Sequence, residues 1–121
     1  MRENKDNKIK NAELVFELIV VIVNKGEAFD VVEASKSMGA EGGTIILGRG
    51  TGIHENLKIL GVPIEPEKEI VLILVPRGIT EKVLDSIRTV VKLDKPGRGI
   101  AFVVEVAKVL GISHLINKPS T

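Results

Sequence analysis

A run of strand, helix, strand and loop occurs twice along 121 residues, and this repeat predicts an α+β fold, a ferredoxin-like double βαβ sandwich with a four-stranded antiparallel sheet. Three observations support it. Val23-Asn24-Lys25-Gly26 matches Val75-Pro76-Arg77-Gly78 at one fixed offset, and Val31, Val32 and Met38 fall on Val83, Leu84 and Val90 at the same offset. The length suits one domain with a modest core. In the first and third expected strands both alternating sets of side chains are apolar: Phe16, Leu18, Val20 and Ile22 against Val15, Ile19, Val21 and Val23, then Ile70, Leu72 and Leu74 against Val71, Ile73 and Val75. A half-solvated sheet would alternate with polar residues. Two helices cover one face, so the other is expected to be covered by a further copy in a closed homo-oligomer.

The elements follow in order. A polar N-terminal tail is expected over 1–13, the domain over 14–112 and a C-terminal tail over 113–121. Glu13 to Val23, rich in Val and Ile and bounded by Asn24-Lys25-Gly26, reads as a strand entering a turn. Phe29, Val32, Ala34, Ser35 and Met38 form a helical stripe that Gly39 stops as a C-cap. Thr44 to Leu47 is the second strand. From Gly48 to Glu67 no period survives and Pro63 and Pro66 punctuate the chain, which predicts a long loop. Glu69 to Val75 is the clearest strand. Thr80 is placed to cap the next helix, whose Val83, Ile87 and Val91 recur every four residues. Lys92 to Gly99 reads as a loop, Ile100 to Val106 as the last strand, and Val109 to Ile112 as a short closing element.

Composition narrows the function classes. Net charge is +1 and aromatics are 2% of residues, so neither a strong positive field nor a stacking surface for nucleic acid is present. There is no Cys, which excludes disulfides and thiolate metal sites and fits a reducing compartment. The N-terminal residues mix charge signs and lack a signal-peptide core, and the most apolar run, Val15 to Val23, is far shorter than the ~20 residues that span a bilayer. A cytoplasmic protein without direct membrane insertion is the expectation.

Gly48-Arg49-Gly50-Thr51-Gly52 places glycine at every second position beside a guanidinium and a hydroxyl, a set suited to an anionic group. It is not a Walker A loop, because no Lys-Ser or Lys-Thr pair closes it, and no helical pattern follows to make it a dinucleotide fingerprint. Gly97-Arg98-Gly99 echoes it. Loops of this kind from different subunits can converge at a subunit boundary, with Lys68 and Lys95 flanking them. His54 and His114 are too far apart in sequence to suggest a metal pair, and no Ser stands with a His and an acid in a nucleophilic constellation, so no enzyme is expected.

Four segments together resemble one family: Gly39-Ala40-Glu41-Gly42-Gly43-Thr44, Gly48-Arg49-Gly50-Thr51-Gly52, Pro66-Glu67-Lys68-Glu69-Ile70-Val71-Leu72, and Leu93-Asp94-Lys95-Pro96-Gly97-Arg98-Gly99-Ile100. The resemblance is to the PII (nitrogen regulatory protein P-II) signal-transduction family, and most to its PII-like branch with a shortened T-loop, over about Phe16 to Ile112. It implies a cytoplasmic homotrimer that binds an adenine nucleotide (ATP or ADP, or else AMP or cyclic AMP) in clefts between subunits. Nucleotide state would set the T-loop, here the 48–67 loop, which docks on a regulated partner such as a membrane transporter or metabolic enzyme in nitrogen or small-metabolite control. By position, Thr44 falls on the strand threonine near the nucleotide, Gly52 on the glycine opening the T-loop and Lys68 on the lysine closing it. Lys95, Gly97 and Gly99 fall on the phosphate-cradling B-loop.

The expected binding set is therefore Thr44, Gly48, Arg49, Gly50, Thr51, Gly52, Lys68, Lys95, Gly97, Arg98 and Gly99, with no catalytic residue and no metal ligand. The chain departs from the family at Ile100, where the B-loop lysine would stand, and at Gly111 and Ser113, where two phosphate-contacting arginines would stand. Either Arg98 and Arg49 compensate or the ligand carries less charge. There is no Tyr in the T-loop to be uridylylated. The alternative function is a trimeric ferredoxin-like sensor of a metal ion or other non-nucleotide small molecule.

Overall fold

β1 (Phe16–Asn24) is one of the two central strands of the sheet, hydrogen-bonded on both sides. It is followed by α1 (Ala28–Ser37), β2 (Thr44–Arg49), β3 (Leu57–Ile59), β4 (Val62–Ile64), β5 (Glu67–Pro76), a 3-10 turn (Arg77–Ile79), α2 (Thr80–Val90) and β6 (Gly99–Glu105). The structure, a computed structural model, describes residues 15–52 and 57–112. The tails expected over 1–13 and 113–121 lie outside the described residues, as do Glu13, His54 and His114. The sheet order is β2-β5-β1-β6, with every pair antiparallel, which is the α+β ferredoxin-like arrangement expected from the repeat.

Both helices pack on one face and against each other. Ile19, Val21 and Val23 of β1 and Val71, Ile73 and Val75 of β5 meet Ala28, Val31 and Ala34 of α1 and Val83 and Ile87 of α2 in a core with almost no solvent access. Burying each Val or Ile contributes on the order of 2 kcal/mol. Ser35, fully buried, satisfies its hydroxyl by donating to the Val32 carbonyl at 2.8 Å. The Ser86 hydroxyl donates to the Ala34 carbonyl at 3.3 Å, so small residues on α1 let the helices approach closely.

The helix ends account for several details. Glu69 Oε1 on β5 accepts from the Gly26 and Ala28 amides at 2.8 and 2.9 Å, capping α1 from across the sheet. α1 ends as expected at Gly39, with φ +108°: the Ala40 amide donates to the Ser35 carbonyl and the Gly39 amide to that of Lys36, a Schellman closure.

Several expectations need correction. Phe29 is 68% exposed and does not belong to the buried stripe, which runs through Ala28, Val31, Ala34 and Ser35 instead. Thr80 does not cap α2; the 3-10 turn precedes it, and its buried hydroxyl donates to Glu17 Oε1 at 2.7 Å. The second strand extends past Leu47 through Gly48 and Arg49, and β5 begins at Glu67, so both ends of the expected loop are paired strand. Inside that loop β3 and β4 form a hairpin, turning at Leu60 and Gly61 with φ of 52° and 81°. Val109 to Ile112 forms no regular element.

The sheet's second face carries the apolar set foreseen from the sequence. Leu18, Val20, Ile22, Ile70, Leu72 and Leu74 are half-buried there, and Ile46, Ile100, Phe102 and Val104 are exposed. No helix of the described residues crosses it.

Candidate functional site

At one end of the open sheet face, three isoleucines from three strands form a row, because Ile22 pairs with Ile70 on one side and with Ile100 on the other. They floor a cavity of about 470 Å³ whose remaining lining is Arg49, Gly50, Thr51, Gly52, Lys68, Gly97 and Gly99. Both glycine-rich loops therefore face one cavity within a single chain, where the sequence reading allows them to converge from different subunits.

The neck of the 48–67 loop is fixed by backbone and charge. Gly48 pairs with Lys68 and Arg49 with Glu67, and the Gly50 amide donates to the Pro66 carbonyl at 3.1 Å. That amide is thus already engaged. Arg49 Nη1 donates to the Glu65 carbonyl at 3.4 Å, and its Nη2 lies 3.6 Å from Glu67 Oε1. Glu67 is held more closely by Lys25, at 2.7 Å. The hydrogen bond and charge of Lys25 hold the Glu67 carboxyl below the ordinary glutamate value, and Glu67 in turn raises Lys25 above the ordinary lysine value.

The opposite wall depends on glycine. Gly97 and Gly99 have φ of +76° and +138°, and a Cβ at Gly99 would lie 2.5 Å from the Ile22 carbonyl oxygen. No side chain fits between that turn and β1. Asn24, at the end of β1, spans the two walls: its Oδ1 accepts from Lys68 Nζ at 2.7 Å and its Nδ2 donates to the Gly97 carbonyl at 3.0 Å.

The remaining expected residues lie elsewhere. Arg98 turns to the helix side, where Nε donates to the Val91 carbonyl at 3.1 Å and Nη2 to Glu27 Oε1 at 2.9 Å. Lys95 is exposed on the 92–99 loop, its amide bonded to the Lys92 carbonyl. Thr44 lines a separate cavity of about 520 Å³ with Phe16, Leu18, Gly43 and Leu72, and Gly48 lies beside the first cavity on the Lys25 and Glu67 side. Sequence reasoning missed the isoleucine floor and Asn24. The strand pattern marks the former as a face, but only the register brings the three together.

The model of the family described as Nitrogen regulatory protein P-II matches residues 16–114. The chain belongs to this family. PII proteins are trimeric regulators of partner proteins, so this is a signal-transduction protein and not an enzyme. Among solved structures, B. subtilis GlnK in an ATP complex is similar with a TM-score of 0.64 and 18% identity, over 82% of this chain and 88% of that one. A second B. subtilis GlnK structure gives 0.62 and 16%, over 81% and 90%. Arabidopsis thaliana PII bound to citrate gives 0.64 and 23%, over 82% and 84%. At these identities the likeness establishes the shared fold. No curated protein matches the chain in sequence. Among the described residues no helix is long and apolar enough to cross a membrane, and no group of His, Asp and Glu is arranged to hold a metal ion.

Proposed function

We propose that this PII-family protein binds an adenine nucleotide in the cavity between the 49–52 and 97–100 segments and so controls a partner protein through its 48–67 loop, a shortened T-loop. The observation that carries the reading is the convergence of Arg49, Gly50, Thr51, Gly52, Lys68, Gly97 and Gly99 on one cavity, with cations on one wall and close backbone on the other. The ATP found in the GlnK relative lends support by family. Thr44, Gly48 and Lys95 join the site only as outlying members, and Arg98 acts from behind the wall.

Ile22, Ile70 and Ile100 belong at once to the cavity floor and to the uncovered sheet face. A second and third copy packed on that face in a cytoplasmic homotrimer would border the cavity, making it an intersubunit cleft. Nucleotide then shifts the T-loop by binding one loop state better than another, and couplings of this kind are on the order of 1 to 3 kcal/mol.

Thermal unfolding with ATP, ADP, AMP and cyclic AMP tests the reading. A nucleotide present at a hundredfold excess over its dissociation constant adds about 2.7 kcal/mol of stability. A trimer that none of the four stabilises would refute nucleotide binding and leave a non-nucleotide small molecule as the ligand.

A further inference from the structure

Asn24 is not part of the cavity lining, yet it touches both walls. It closes β1 opposite Lys68 in the ladder, so its side chain and the lysine leave neighbouring strands together. Its carbonyl oxygen accepts from Lys68 Nζ at 2.7 Å, and its amide nitrogen donates to the Gly97 carbonyl at 3.0 Å. The two contacts fix the orientation of the amide, since turning it over would set two donors face to face and two acceptors face to face. Few side chains could replace it. Ala reaches neither wall, and Asp would hold Lys68 but oppose a carboxylate to the Gly97 carbonyl.

We infer that Asn24 is a positioning residue of the binding site: it holds the Lys68 ammonium at the cavity and tethers the Gly97 turn to the sheet, so that cation and backbone wall stand at a fixed separation. The role in ligand affinity rests on the proposed reading of this cavity as an anion-binding site. The tether itself does not. Lys68 reaches the cavity from the second residue of β5, beside the neck of the 48–67 loop, and Gly97 from the segment before β6. Asn24 is therefore a side-chain link, through β1, between the loop that would signal and the turn that would hold the ligand.

The test uses the full chain with Asn24→Ala and Asn24→Asp. Without ligand, backbone 15N relaxation at Gly97 reads the tether: its order parameter is expected to drop from about 0.85 towards 0.6 in both variants, because neither donates to the carbonyl. With ligand, the affinities of ADP and of uncharged adenosine are compared. Asn24→Ala is expected to weaken ADP about tenfold while adenosine changes less than about twofold, since only the charged ligand uses a positioned cation. A rigid Gly97 in both variants overturns the tether. Equal losses for ADP and adenosine overturn the positioning of Lys68 and leave a merely structural residue. A wild-type protein that binds neither ligand sinks the nucleotide reading, while the relaxation measurement still decides the tether. Should Asn24→Ala fail to fold, Asn24→Asp, of the same shape, carries that measurement.

Discussion

Arg98 and Glu27 meet at 2.9 Å between the start of α1 and the turn that leads into β6, both side chains largely shielded from solvent. The same guanidinium donates to the Val91 carbonyl at the end of α2. One cation thus joins two helix termini to the cavity's rear wall. Two charge-assisted bonds in this setting place the cost of Arg98→Ala at about 1 to 2 kcal/mol of stability. Nucleotide affinity is expected to change by less than about threefold, because the side chain points away from the cavity. Chemical denaturation beside a binding titration checks both, and a large affinity loss at unchanged stability would place the guanidinium on the ligand.

Gly99 is held in a conformation that only glycine adopts readily, with φ +138° and the Ile22 carbonyl where a Cβ would go. Gly99→Ala must either force β6 away from β1 or twist the turn. Either response is expected to cost about 2 kcal/mol or more, lowering Tm by roughly 10 °C in a domain of this size. Calorimetry reads the shift. An unchanged Tm would mean that the 97–99 turn relaxes freely, against the close packing described.

How much of this was legible before the structure depends on what each residue had to reveal. The unbroken apolar runs of β1 and β5 and the four-residue stripe of α2 are local patterns, and they mark the strands and the second helix without telling which face of the sheet the helices cover. α1 holds two competing apolar sets one residue apart and buries the one with Ala28 and Val31 while exposing Phe29, and the carboxylate that caps its first turn, Glu69, comes from 41 residues away. The β3–β4 hairpin was obscured because Pro63 sits within β4 and the turn is Leu-Gly, neither a usual strand nor a usual turn signal. At the site, glycines announce themselves by spacing. Asn24 reads as an ordinary turn residue, because its partners Lys68 and Gly97 are distant in sequence. Arg98 looked like a ligand cation for the opposite reason: its neighbours Gly97 and Gly99 are conspicuous, but their positive φ angles accompany a turn that sends its side chain to Glu27.

Lys92 closes α2 in the left-handed region, with φ 57°, while the Leu93 amide donates to the Arg88 carbonyl. α1 uses glycine at the equivalent position. Lys92→Gly removes the strain of a side chain there at some entropic cost in the unfolded chain, for an expected net gain of about 0.5 to 1 kcal/mol. A higher urea midpoint at unchanged slope is the expected result. A lower midpoint would show that the lysine side chain contributes more than its backbone strain costs.

Lys25 and Glu67 form the closest ion pair at the neck of the 48–67 loop, and they set its pH response. Glu67 titrates below the ordinary glutamate value because it accepts a hydrogen bond from Lys25 and feels its charge. A depressed folded-state value means that the pair's contribution is present above the unfolded carboxyl value and is lost as pH falls through the folded one. Lys25, raised by the same partner, keeps its contribution below the unfolded lysine value and loses it as pH rises through the folded one. Between these limits the neck is held by charge as well as by the Gly50 to Pro66 hydrogen bond. Both groups are solvent-exposed, so salt should screen the pair. Carboxyl 13C titration is expected to place Glu67 below the ordinary glutamate value, and molar salt or Lys25→Met should raise its midpoint towards that value. A Glu67 midpoint that neither salt nor Lys25→Met moves would assign its shift to the backbone of the neck rather than to the ion pair.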